Sequence, residues 1–228
     1  MQKIMQYNLF HLDGPEIKGA LFDLDGVIVD TAKYHYLAWK RLAAELGFDF
    51  SLADNERLKG VSRMESLEIL IECGRKIIPD LSMNERQKEE AAARKNTWYV
   101  DYLYRLCETD MLDGAGDYLK KLRKSGIQTA LGSASKNAPL ILERLNIAGL
   151  FDAVIDGNSV SKSKPNPEVF LKCAAALKLR PGYCVVFEDA LSGIEAAKAG
   201  GMRAIAVGKP ELLPGADRYI NCLKDMLA

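Results

Sequence analysis

Residues 22–31 read FDLDGVIVDT. Two carboxylates, Asp23 and Asp25, stand two residues apart at the end of an apolar run, with Gly26 directly behind them. Like charges at that range repel, so the pair calls for a chemical reading. Three later stretches carry matching groups: Ser133, Ser135 and Asn137 in GSASKN, Lys162 and Lys164 in SKSKPNP, and Glu188 and Asp189 in FED. Each has an ordinary explanation when taken alone. Asp-Gly after a strand makes a turn, a lone lysine is a solvated charge, and Asn137 can cap a helix. In this order, at the ends of successive apolar runs, they form a constellation.

The residue types set the chemistry. Oxygen ligands without a histidine cluster suit a hard cation, and Mg²⁺ takes one or two carboxylates together with substrate phosphate. Such an ion also relieves the repulsion between Asp23 and Asp189. A lysine and a serine hydroxyl bind phosphoryl oxygens. A carboxylate beside the ion can attack phosphorus and give an aspartyl phosphate. A second carboxyl two residues on can move protons. The pattern predicts a phosphoryl-transfer centre.

The elements that must position these groups are legible from periodicity. IKGALFD (17–23), IQTALGS (127–133), FDAVIDG, YCVVFED (183–189) and RAIAVG read as strands. GAGDYLKKLRKSG, KNAPLILERLN, NPEVFLKCAAALKL and ALSGIEAAKAG read as the helices between them. Strands alternating with helices imply a parallel sheet covered on both faces. Ligands of such sheets bind beyond the carboxyl ends of the strands, where the constellation falls. From TAKYHYLAWKRLAAELG to about Cys107 the pattern is helical throughout. The expected architecture is therefore an α/β Rossmann-like core, residues 1–30 and 111–228, with an all-helical cap inserted at 31–110. Ser62 and Glu65 form the S-x-x-E of a capping box, which starts a helix whose N-terminus attracts anions. Trp98, Tyr99, Tyr102 and Tyr104 read as packing within the cap.

Composition narrows the function classes. The 228 residues hold 31 Lys+Arg and 31 Asp+Glu, a formal net charge of zero. That argues against nucleic acid and against a polybasic membrane contact. No apolar run reaches the length of a membrane span. The leading MQKIMQYNLFHLDGPE lacks the apolar stretch of a signal peptide. Five widely spaced cysteines without a C-x-x-C suggest free thiols in a reducing compartment. A cytoplasmic monomer is the expectation. GAG at 114–116 follows no strand and does not complete a dinucleotide motif.

DLDGVIVDT, GSAS, KPNPE and FEDALSGIEAAKAGG resemble, in this order, the four motifs of the haloacid dehalogenase superfamily of phosphotransferases. The resemblance runs from about Ile17 to the end. TAKYHYLAW, KGVSRMES, KRLAAELG, ARKN and SASKN place it nearest the hexose-phosphate mutases of that superfamily. It implies Asp23 as nucleophile and metal ligand, and Asp25 as general acid/base that also gives a backbone carbonyl to Mg²⁺. Asp189 completes the metal site with Glu188 beside it. Ser133 and Lys164 hold the transferring phosphoryl group. Arg63 holds a distal phosphate, helped by Ser135 and Asn137. His35 and Lys95 couple cap closure to the position of Asp25. Thr31, Trp39, Gly60, Val61, Ser62, Ser66, Ala134 and Lys136 are implied to line the substrate site. Hexose phosphates and a hexose bisphosphate are the implied ligands, and a sugar-phosphate phosphatase of the same fold is the alternative. A signalling phosphoacceptor domain fits poorly, because it has neither the helical cap nor the D-x-D pair. The first sixteen or so residues and parts of 70–90 lie outside the pattern, and the N-terminal segment is open to reading as an ordered arm, a leader or a start-site artefact.

Overall fold

A computed structural model of the chain describes residues 10–58 and 61–227. Six parallel strands form one sheet: β1 (Gly19–Phe22), β2 (Gln128–Gly132), β3 (Ala153–Ile155), β4 (Cys184–Glu188), β5 (Arg203–Val207) and β6 (Arg218–Ile220), in the order β3-β2-β1-β4-β5-β6. The order reverses between β1 and β4, which opens a crevice beyond their carboxyl ends. Register fixes what meets there. Phe22 pairs with Leu131 on one side and Phe187 on the other. Asp23 follows at the level of Glu188, with its N–H donated to the Phe187 carbonyl at 3.0 Å.

Alternation along each strand fills two hydrophobic layers. Ala20, Phe22, Val185 and Phe187 pack against α5 (Ala115–Lys124) and α6 (Ala138–Arg144). Phe22 and Phe187 stack with centroids 4.7 Å apart. Leu21, Val186, Ala204 and Ala206 face the other way, onto α7 (Glu168–Ala176) and α8 (Leu191–Ala199). Each central strand is thus apolar on both faces, as a buried parallel sheet requires.

Between β1 and α5 the described residues hold only helices: α1 (Ala32–Glu45), α2 (Leu52–Glu56), α3 (Arg63–Arg75), α4 (Glu85–Leu103) and one 3₁₀ turn. A separate apolar cluster joins them, including Trp39, Leu42, Phe50, Leu70 and Ala92. Ser51, Ser62 and Asn84 each close a capping box at the start of α2, α3 and α4. The Ser62–Glu65 box is the one read from the sequence. Where the chain leaves and re-enters the sheet, Val29 forms an antiparallel bridge with Met111, and the Leu112 N–H donates to the Ile28 carbonyl at 2.9 Å.

Two features go beyond the sequence reading, and residues 10–16 take the ordered-arm form that is one of its alternatives, residues 1–9 lying outside the described residues. β6 is only three residues long, too short for its alternation to register. α4 stops at Leu103, short of Cys107. Residues 10–16 form an ordered arm: Phe10 and Leu12 are buried, Arg203 donates to the carbonyls of Asp13 and Pro15, and Arg218 donates to that of Phe10. All five cysteines are free; Cys73, Cys173 and Cys184 are buried, whereas Cys107 is exposed. Among the described residues no helix is long and apolar enough to cross a membrane.

Candidate active site

A cleft of about 1520 Å³ runs from the carboxyl ends of β1, β2 and β4 to the helices between β1 and β2. Its core end is built by a tight loop after β1. Gly26 takes φ +76° there, and its N–H donates to the Val29 carbonyl at 2.8 Å. A Cβ on Gly26 would lie 2.1 Å from an Asp189 carboxylate oxygen. The glycine behind the D-x-D pair is therefore required twice, for its backbone and for the approach of Asp189.

Asp23, Glu188 and Asp189 each bring a carboxylate oxygen within 4.8 Å of the others. Lys164 Nζ donates to Asp23 Oδ1 and to Glu188 Oε1, both at 2.5 Å, from a side chain only 2% exposed. Burial works against its charge, but those two carboxylates win and hold its pKa above the ordinary lysine range. Glu188 is fully buried, and its second oxygen accepts the Ala190 N–H at 3.0 Å. Burial pushes its carboxyl up, and the Asp23 charge adds to that against the pull of Lys164. Gly193 of α8 makes room for it, since a Cβ there would fall 1.9 Å from the Glu188 carboxyl. An all-oxygen, mostly buried trio of this size fits a hard divalent cation. The Asp25 carboxylate is not one of the three.

Asp25 instead accepts a hydrogen bond from the Thr31 hydroxyl. Burial raises its carboxyl to about 7; Asp23 adds to the rise and Thr31 opposes it. Thr31 is fully buried and does not line the cleft, so its place is behind Asp25, away from where substrate would lie. Ser133, at the end of β2, is buried and accepts the Ser135 N–H at 3.1 Å. Asn137 donates to Asn96 of α4 at 2.9 Å, a contact from the sheet to the helices opposite. Ala134 and Lys136 line the same wall. Lys162, the competitor of Lys164 as phosphate ligand, lies exposed at the rim, its N–H donating to Glu168.

The far end of the cleft is cationic. Arg63 opens α3, and Val61, Ser62 and Ser66 line the wall around it. Lys95 of α4 is 2% exposed, 2.9 Å from His35 Nδ1 and 4.6 Å from the ring centroids of Trp39 and Tyr99. Burial and the charge of Arg63 hold the Lys95 pKa well below the ordinary lysine range. Burial, then Lys95 and Arg63, do the same to His35. Trp39 both lines the cleft and fills the helical cluster. Gly60 lies outside the described residues. Glu65 closes its capping box, accepting the Ser62 N–H at 2.9 Å.

The sequence reading missed one residue. Tyr99, read as packing, places its hydroxyl 3.0 Å from Thr31 Oγ1.

The model of the haloacid dehalogenase-like hydrolase family matches residues 17–201, and the chain belongs to that family. Among its relatives, it is 41% identical over 210 residues to the β-phosphoglucomutase of Bacillus subtilis, covering 92% of both chains. It is 31% identical over 189 residues to a fructose-1-phosphate phosphatase of Escherichia coli, covering 83% of this chain and 95% of that one. The crystal structure of a β-phosphoglucomutase from Clostridium difficile superposes with a TM-score of 0.87 at 39% identity over 92% of each chain.

Proposed function

We propose that the protein interconverts β-glucose 1-phosphate and glucose 6-phosphate, the reaction of a β-phosphoglucomutase, through an aspartyl phosphate and β-glucose 1,6-bisphosphate. The observation that carries this reading is the cluster of basic side chains at the far end of the cleft. Arg63, Lys95 and His35 cluster there, and no carboxylate forms a salt bridge with any of them among the described residues. A phosphatase needs one phosphate site. A mutase must also hold the phosphate that is not reacting, and a desolvated arginine suits that task through bidentate geometry.

In this mechanism the sugar bisphosphate lies along the cleft with one phosphate at each end. An Asp23 oxygen attacks phosphorus, the bond from phosphorus to the sugar oxygen breaks, and Asp25 gives its proton to that oxygen. Lys164 and Ser133 hold the phosphoryl oxygens. Mg²⁺, held by Asp23, Glu188 and Asp189, would supply positive charge to the transferring group. The phosphoenzyme then gives its phosphoryl group to the free 6-hydroxyl of an incoming β-glucose 1-phosphate, with Asp25 now taking that hydroxyl's proton, and the bisphosphate so formed turns end for end before the next transfer. Residues 31–110 act as a cap domain over a core formed by 1–30 and 111–228, closing to exclude water. Five free cysteines fit a reducing, cytoplasmic setting.

The 31% identity to a fructose-1-phosphate phosphatase keeps one alternative open, a sugar-phosphate phosphatase on the same site. A panel of anomeric sugar 1-phosphates, assayed with and without the 1,6-bisphosphate, separates the two. The mutase reading expects glucose 6-phosphate from the β anomer, stimulated by bisphosphate, with little free phosphate. Free phosphate as the main product, with no isomer, contradicts it.

A further inference from the structure

Tyr99 is fully buried, and most of its contacts need only an aromatic ring. His35 lies tilted against it with centroids 4.0 Å apart, and Lys95 sits 4.6 Å from its centroid. A phenylalanine would serve both. The hydroxyl is additional, and burying it costs free energy unless it is hydrogen-bonded. Its partner is Thr31 Oγ1 at 3.0 Å.

The direction of these bonds follows from counting protons. A threonine hydroxyl has one. Thr31 donates it to Asp25 Oδ1. The phenol must therefore donate to Thr31. The chain runs from Tyr99, a side chain of α4, through Thr31 to Asp25. Asp25 Oδ1 is thereby occupied, and Oδ2 remains to carry the proton exchanged with substrate.

We propose that Tyr99 is a positioning residue for the acid–base step: its hydroxyl fixes Thr31, and Thr31 aims Asp25. The proposal rests on the assignment of Asp25 as general acid/base made above. It requires that α4 be in place before Asp25 is correctly aimed, so a closed cleft and a competent acid arrive together.

Two phosphoryl donors separate this role from packing. With β-glucose 1,6-bisphosphate, the phosphorus–oxygen bond breaks to leave a sugar oxygen that takes its proton from Asp25. With acetyl phosphate, the leaving group is acetate, which departs unprotonated at neutral pH. Both donors use Asp23 and the same phosphoryl pocket, and only the first needs the acid. The experiment measures phosphoenzyme formation from each donor with Tyr99→Phe, Thr31→Val, the double variant and Asp25→Asn.

Losing one buried hydrogen bond of this kind corresponds to about a tenfold rate loss. Tyr99→Phe is expected to lose about that factor in the saturated rate with the bisphosphate, with KM within about twofold of wild type. The loss with acetyl phosphate should be at least about fivefold smaller. Thr31→Val should show the same split, and the double variant should be no worse than the worse single, as members of one chain behave. Equal losses with both donors, or no loss with the bisphosphate, overturn the role of Tyr99. If Asp25→Asn itself shows no donor split, the acid–base assignment falls and takes this proposal with it. The comparison needs only transfer from sugar to Asp23, so it remains informative even if the mutase reading fails.

Discussion

The two ends of the cleft handle charge in opposite ways. At the core end, Lys164 contacts Asp23 and Glu188 at 2.5 Å, so attraction is already satisfied within the protein and its charge is held firmly. At the cap end, Arg63, Lys95 and His35 are neighbours of like tendency, and the pKa of each is driven down by burial, with mutual repulsion adding to it at Lys95 and His35. The first arrangement fixes Asp23 and Glu188 around one lysine. The second is unfinished until an anion arrives. Under the proposed mutase mechanism, a substrate with a phosphate at each end would engage both.

The largest effect should come from breaking the core end. Asp23→Asn removes the nucleophile and is expected to abolish transfer from every donor, sugar phosphate and acetyl phosphate alike, and to leave no base-labile phosphoenzyme. Phosphate recovered on the same peptide of the variant would mean that another group attacks. Removing divalent metal strikes the same end without touching the chain. Chelation should stop turnover and added Mg²⁺ restore it, because crowded carboxylates and a phosphate dianion need a counter-ion. Full activity in excess chelator would contradict the metal assignment.

A smaller effect concerns Asp25, which stands between the two ends. In the folded, metal-free protein it holds its proton up to about pH 7, against an ordinary value of 3.8. The folded state thus binds this proton more tightly than the unfolded chain does. Its contribution to stability is complete below about pH 4 and is lost as the pH rises through about 7, an amount on the order of 2–4 kcal/mol at most. Asp25→Asn keeps an acceptor for Thr31 but has nothing to ionise. Without metal, the variant should melt roughly 5 °C or more above wild type at pH 8 and close to it at pH 4. Parallel melting at the two pH values would show that Asp25 carries no such burden.

Much of this site was legible because its parts sit at strand ends, and strand ends are where apolar runs stop. Asp23, Ser133 and Glu188 each stand where such a run stops, and parallel pairing brings them close to level, while Lys164 reaches them from the loop after β3. The helical insertion and the Ser62 cap were legible for similar local reasons. What escaped depended on contacts remote in sequence. Tyr99 meets Thr31 across 68 positions, and an aromatic at helical spacing looks the same whether or not its hydroxyl is used. Thr31 stands beside the D-x-D loop in sequence, yet it faces Asp25 and not the cleft. The arm at residues 10–16 is held by Arg203 and Arg218, nearly two hundred residues away, and nothing local announces it. β6 offers three residues, fewer than a period-2 pattern needs.

The central claim is that Arg63 clamps the phosphate that is not reacting. The measurement that tests it most directly is kcat/KM of Arg63→Ala for mutase turnover, set beside its rate of acetyl phosphate hydrolysis on the same preparation. Arg63 opens α3 at the far end of the cleft from the carboxylate trio, so its loss leaves that trio whole. Mutase kcat/KM should fall at least ~100-fold, about 2.7 kcal/mol of transition-state binding, while the acetyl phosphate rate stays within about threefold. Arg63→Lys should recover only part, since a point charge cannot reproduce the guanidinium fork. Equal damage to both reactions, or mutase turnover left untouched, would contradict the clamp and put the phosphatase reading ahead.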